Sequence, residues 1–82
     1  MKLAIYTPEK MFFSGEVEIV TLPGLTGSFT ILDHHAALIS SLGKGSVMFR
    51  DKNGVTDLLI ESGFVEVKKN EVIVCTELMN IK

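Results

Sequence analysis

The chain has no tryptophan, one cysteine, two prolines and only eight lysines and arginines among 82 residues. Each shortage excludes something. A single cysteine, Cys75, cannot close an internal disulfide, and one unpaired thiol in a small domain fits a reducing compartment. Cys75 stands between Val74 and Thr76 in an apolar run, so it reads as a small half-buried hydrophobe. A reactive thiol would need a base beside it, and the local sequence offers none. The cations are scattered singly apart from Lys68-Lys69, and the formal net charge is −2. Nothing forms a basic stripe that could track a phosphate backbone, which argues against nucleic-acid binding. The mean hydropathy is positive, at +0.35, yet no apolar run approaches the ~20 residues that a spanning helix needs. The opening Met1–Lys10 has too short an apolar stretch for a secretory signal. The expectation is a cytosolic protein with no membrane insertion of its own.

What the chain does have is 46% hydrophobic residues, arranged in alternation and punctuated by seven glycines. At this length one domain is expected, burying about 60–65% of the surface its unfolded chain exposes. Alternation and turn signals predict about eight strands and no helix. Lys2 to Thr7 is the first, with Leu3 and Ile5 on one face, and Pro8-Glu9-Lys10 turns the chain. A second runs from Phe12 to Leu22, with Val17 and Ile19 inward, Glu16 and Glu18 outward, and a bulge expected at Gly15, where the apolar parity shifts. Pro23 to Gly27 holds three breakers in five residues and reads as a loop. Ser28–Leu32 and Ala36–Leu42 are strands around an Asp33-His34-His35 turn. Ser46–Asp51 and Val55–Ser62 flank Lys52-Asn53-Gly54, whose Asn-Gly pair is the strongest local hairpin signal. Phe64–Lys68 and Glu71–Thr76 form another hairpin around Lys69-Asn70. Strands without helices, joined by short turns, bury their apolar faces most simply as two packed sheets. The expected architecture is therefore an all-β, flattened two-sheet sandwich over residues 1–77, with 78–82 a short tail.

Chemical sites are hard to find. His34-His35 invites a metal reading, but neighbouring side chains diverge and no cysteine or carboxylate cluster joins them. Ser40-Ser41 lacks a nucleophile elbow and a base at a recognisable spacing. Gly24-x-x-Gly27 has neither the Lys-Ser/Thr nor the helix of a phosphate loop. No catalytic, cofactor or metal residue is expected. Phe12 and Phe13 read as core residues, with one of them at an interface as the alternative.

Five short segments carry a resemblance. Phe13-Ser14-Gly15-x-Val17-Glu18 is followed by Gly27-x-Phe29-x-Ile31, which leads into His35-Ala36-x-Leu38. Ser62-Gly63-Phe64-x-Glu66-Val67 then precedes Asn70-Glu71-Val72-Ile73-Val74. In order and spacing these are similar to the N-terminal domain of the epsilon subunit of F-type ATP synthases, over Leu3 to Glu77. The family's Pro-Gly before the histidine is Asp33-His34 here, and its following proline is Ala37. The resemblance implies a non-catalytic subunit of the central stalk that clamps gamma, sits on the c-ring and supports coupling of ion flow to ATP synthesis. It implies a cytoplasmic location, peripheral to the inner membrane through the assembled enzyme. The chain stops where the family's inhibitory C-terminal helical hairpin would begin, so that hairpin is expected to be absent. By the same resemblance the ring contact is Pro23, Gly24, Leu25, Thr26, Gly27, Ser28, Phe29 and Thr30, and the gamma contact is Thr7, His35 and Ser40. Two readings stay open for Leu25, a buried loop anchor or an exposed contact. Two stay open for His35, a bond across the interface or a cap on local backbone. The rival functions are a free-standing β-sandwich adaptor of another complex and a small-molecule-binding barrel or enzyme.

Overall fold

The computed structural model describes residues 1–79, all of them strand, turn or loop. Eight strands appear in chain order: β1 (Lys2–Tyr6), β2 (Met11–Glu16), β3 (Ile19–Gly24), β4 (Gly27–Leu32), β5 (Leu38–Leu42), β6 (Gly45–Asp51), β7 (Gly54–Lys68) and β8 (Glu71–Leu78). One layer is β2-β1-β8-β7-β5, and β4-β3-β6 with the first half of β7 forms the other. β1 and β8 run parallel, and every other pairing is antiparallel.

The expected two sheets are hydrogen-bonded into one that folds over on itself. Where the sequence suggested two strands, β7 is a single 15-residue strand. Its first half pairs with β6, and its second half lies between β8 and β5. The pairing with β8 slips one residue between Ile60 and Ser62, and that bulge bends β7 from one layer into the other. Gly63 lies beyond the slip, opposite Thr76; a Cβ there would come within 2.4 Å of the Cys75 carbonyl oxygen. Only glycine lets the two backbones approach this closely. Thr76 is buried here and donates its hydroxyl to the Ser62 carbonyl at 2.5 Å.

The core lies between the layers. Leu3, Ile5, Val65, Val67, Val72 and Val74 from one layer meet Val20, Leu22, Ile31, Val47, Phe49 and Ile60 from the other, each no more than 2% exposed. These are alternate residues along each strand, as a pleated sheet with one covered face requires. Phe13 splits from Phe12: its ring lies 4.4 Å from that of Phe49, centroid to centroid, whereas Phe12 is 38% exposed.

The second expected strand is two. The chain leaves β2 at Val17-Glu18 and crosses to the other layer. The Val17 amide donates to Met1 and the Glu18 amide to Arg50. The inward parity therefore changes after Val17, and Val20 is buried while Ile19 is half-exposed. The bulge expected at Gly15 lies instead at Phe12, the extra residue between the Ile5–Phe13 and Tyr6–Met11 pairs.

The turns also sort differently. Asp51 pairs with Gly54, so Lys52-Asn53 are the central residues and Gly54 (φ 123°) follows them. The Asp51 carboxylate accepts the Asn53 amide at 2.9 Å, an Asx turn with glycine in last place. The turn with two left-handed residues is Lys69-Asn70, at φ 52° and 60°, as a type I′ hairpin requires. Strand β8 continues to Leu78, opposite Ile60, one residue past the expected domain boundary. The rest of the tail, residues 80–82, lies outside the described residues.

Candidate functional surface

The eight residues expected to meet a ring form the β3–β4 hairpin. Pro23 and Gly24, expected in a loop, belong to β3, and the connection shrinks to Leu25-Thr26 between the paired Gly24 and Gly27. Leu25 is 71% exposed, so it is not a buried anchor. Thr26, Gly27, Ser28 and Thr30 are exposed, and Pro23, Gly24 and Phe29 are half-buried. Two close contacts fix the hairpin. A Cβ on Gly24 would meet the Gly27 carbonyl oxygen at 2.7 Å, and the Gly43 amide donates to the Pro23 carbonyl at 2.8 Å. Thr21 and Thr30 share a hydroxyl hydrogen bond at 3.0 Å across the outer face. Among the described residues β4 pairs only with β3, leaving its other edge open.

The structure does not gather Thr7, His35 and Ser40 at one point. Thr7 follows β1 at the end where Tyr6 lies opposite Cys75. His35 lies toward the other end, where the neighbouring His34 amide donates to the Asn70 side chain at 2.8 Å. The strand rise separates these ends by on the order of 15 Å. Ser40, on β5, pairs with Val65 on the far side of β7 from β1. Each polar group also has a local partner. The Thr7 hydroxyl donates to the Lys10 carbonyl at 3.1 Å, the His35 Nδ1 lies 2.7 Å from the Ala36 carbonyl oxygen, and the Ser40 hydroxyl donates to the Ser41 carbonyl at 3.2 Å. For His35 this geometry is that of a local backbone cap.

Two features escaped the sequence reading. One is an apolar row across the outer face of the β2-β1-β8-β7 layer. Met11, Tyr6, Cys75 and Phe64 are successive cross-strand partners in it. Met11, Tyr6 and Phe64 are 52%, 41% and 49% exposed, and Cys75 is half-buried between Tyr6 and Phe64. The available signal was parity: Tyr6 and Phe64 alternate out of phase with Ile5 and Val65. The other feature is the junction of Met1 with the β4–β5 loop. The Met1 ammonium donates to the Asp33 carboxylate at 2.8 Å and to the Val17 carbonyl at 3.2 Å, with Glu16 at 3.4 Å. The hydrogen bond from Met1 holds the Asp33 carboxyl below its ordinary range, and Asp33 in turn raises the Met1 amine above its own, against a smaller opposing effect of burial.

Residues 1–80 match the model of the ATP synthase delta/epsilon chain β-sandwich domain. The chain belongs to this family. The epsilon chain of Chlorobium limicola is 47% identical over 77 residues, covering 93% of this chain and 88% of that one. The epsilon chain of Leptospira interrogans serovar Copenhageni is 38% identical over 77 residues, 94% of this chain. The chain spans 61% of that relative's length. Among solved structures, the central stalk and c-ring of the Tetrahymena thermophila mitochondrial ATP synthase contains a chain with TM-score 0.82. The match covers 94% of this chain and 63% of that one, at 23% identity, a likeness of fold. The described residues are all strand, turn or loop, in keeping with the β-sandwich domain of that family. Among the described residues no helix is long and apolar enough to cross a membrane.

Proposed function

We propose that this chain is a non-catalytic central-stalk subunit of an F-type ATP synthase, joining gamma to the c-ring and working by its surfaces. The observation that carries this reading is the match of nearly the whole chain to epsilon-chain relatives, with 47% identity to one of them. The physical form supports it. A sandwich whose layers are hydrogen-bonded through one continuous strand resists shear, because relative sliding would break the β7 ladders as well as the packed core. The contiguous row of apolar side chains from Met11 through Tyr6 and Cys75 to Phe64 supports a surface that a partner covers.

In this reading the β3–β4 hairpin from Pro23 to Thr30 faces the ring, and Thr7, His35 and Ser40 lie on the gamma side. Residues 1–77 form the binding module, and the protein is held at the inner membrane from the cytoplasmic side through its partners. Coexpression with gamma followed by size exclusion tests the reading: the two chains are expected to elute together, and separate elution refutes it. A cysteine replacing Ser40 is expected to crosslink to a gamma cysteine in the assembled enzyme. Unhindered labelling of that cysteine in the assembly counts against the face assigned to gamma.

A further inference from the structure

Asn70 joins three segments that are distant in the chain. It belongs to the β7–β8 hairpin turn, where its φ is 60°. Its backbone carbonyl accepts the Lys2 amide at the start of β1, at 3.1 Å. Its side-chain Oδ1 accepts the His34 amide of the β4–β5 loop, at 2.8 Å. That loop contains a strained turn. The His35 amide donates to the Leu32 carbonyl at 3.2 Å, which closes a four-residue turn with Asp33 and His34 at its centre. His34 stands at φ 62° and Asp33 is not left-handed, the sign pattern of a type II turn. Such a turn takes glycine or asparagine where His34 stands, because other side chains crowd the backbone in the left-handed region. The turn's own hydrogen bond uses the His35 amide, and the Asn70 side chain takes the His34 amide that is left over. Asp33 is held separately, by the Met1 ammonium at 2.8 Å.

Resting on the reading that His35 lies on the gamma side, we propose that Asn70 is a positioning residue for that contact. Its side chain clasps the Leu32–His35 turn in the conformation that gamma meets, although Asn70 itself belongs to a different connection of the fold. Without the clasp the strained turn spreads over other conformers. Gamma then binds only the competent fraction, and the apparent affinity falls by that fraction. The rival role for Asn70 is confined to its own hairpin, since asparagine is favoured at a left-handed turn position for local reasons. The two roles separate because the hairpin uses the φ of Asn70, whereas the clasp uses its side-chain oxygen.

The test is Asn70→Gly in the full chain. Glycine suits the left-handed φ and keeps the carbonyl that Lys2 uses, so the hairpin stays and only the side-chain acceptor is removed. A melting midpoint close to the parent's verifies the fold. Hydrogen exchange of the residue 34 amide and affinity for immobilised gamma from the same organism are both measured. The same pair is made in a His34→Gly background, where glycine takes the left-handed φ without strain. In the parent background Asn70→Gly is expected to speed exchange at His34 severalfold and to weaken gamma binding about fivefold, the worth of one hydrogen bond. In the His34→Gly background it is expected to change the affinity by less than about twofold. Equal losses in both backgrounds place the effect in Asn70's own hairpin and overturn the proposal. Unchanged exchange at His34 overturns it too, as does faster exchange with unchanged affinity; in both cases the gamma partnership stands. If the parent chain does not bind gamma, the reading of the subunit itself fails and the inference falls with it.

Discussion

Replacing Gly63 by alanine tests the bend that joins the two layers. Gly63 has no left-handed φ, so the backbone itself would accept a side chain. The obstacle is steric: a Cβ would stand 2.4 Å from the Cys75 carbonyl oxygen and 3.0 Å from the Thr76 Cα. Both are backbone atoms of β8, so no rotamer change relieves the contact and the strands must separate by several tenths of an ångström. Overpacking of this kind costs about 1–3 kcal/mol, and an immovable neighbour puts Gly63→Ala in the upper part of that range. Against this, alanine restricts the unfolded chain and returns about 0.4–1 kcal/mol. The net loss is about 1–2.5 kcal/mol, a fall in Tm of roughly 10 °C for a domain this size. Gly15→Ala is the matched control. It also lies in a strand without positive φ, but its Cβ would meet only the Phe13 ring, at 3.2 Å, which can tilt. Urea and thermal unfolding of the two variants should differ by at least about 1 kcal/mol. Equal stabilities would refute the argument that close backbone approach, and not the loop chemistry of Ser62-Gly63, requires glycine here.

Two further outcomes follow from the terminus and from a turn. The Asp33 carboxyl is held below its ordinary pKa by the Met1 ammonium, so its contribution is present above about pH 4 and is lost as pH falls through its folded value. The Met1 amine is raised by Asp33, so its contribution is present below about pH 8 and is lost as pH rises through its folded value. The Tm gap between the parent and Asp33→Asn should therefore be widest between these limits and shrink on both sides; a gap that ignores pH excludes the ion pair as its source. Lys69 adopts φ 52°, a conformation that costs a side-chain-bearing residue about 1–2 kcal/mol, of which glycine's extra unfolded-state entropy would offset roughly half. Lys69→Gly should raise Tm by a few degrees. A lower Tm would show that Lys69 makes a compensating interaction.

Much of this protein was legible because alternation is local. A period of two residues identifies Leu3 and Ile5, Val65 and Val67, and Val72 and Val74 as one buried face, and nothing distant is needed to read it. Turn chemistry located every hairpin for the same reason. It misassigned the central residues at Asn53-Gly54, because the Asp51 carboxylate captured the Asn53 amide and moved the turn one residue back. The motifs around Gly15, Gly27 and Gly63 were sufficient to place the chain in its family.

Tertiary structure alone decided the rest. Alternation in β7 looks the same whether the strand stops at Ser62 or bends through it; the ladder with β8 made it one strand shared by two layers. The crossing at Val17-Glu18 depends on bonds to Met1 and Arg50, which no local pattern records. Whether Leu25 was an anchor or a contact depended on what packed over it, and most of it faces open space. Sequence states which side chains alternate. Hydrogen bonds between strands distant in the chain determine which faces are covered, and therefore which apolar residues are left for a partner.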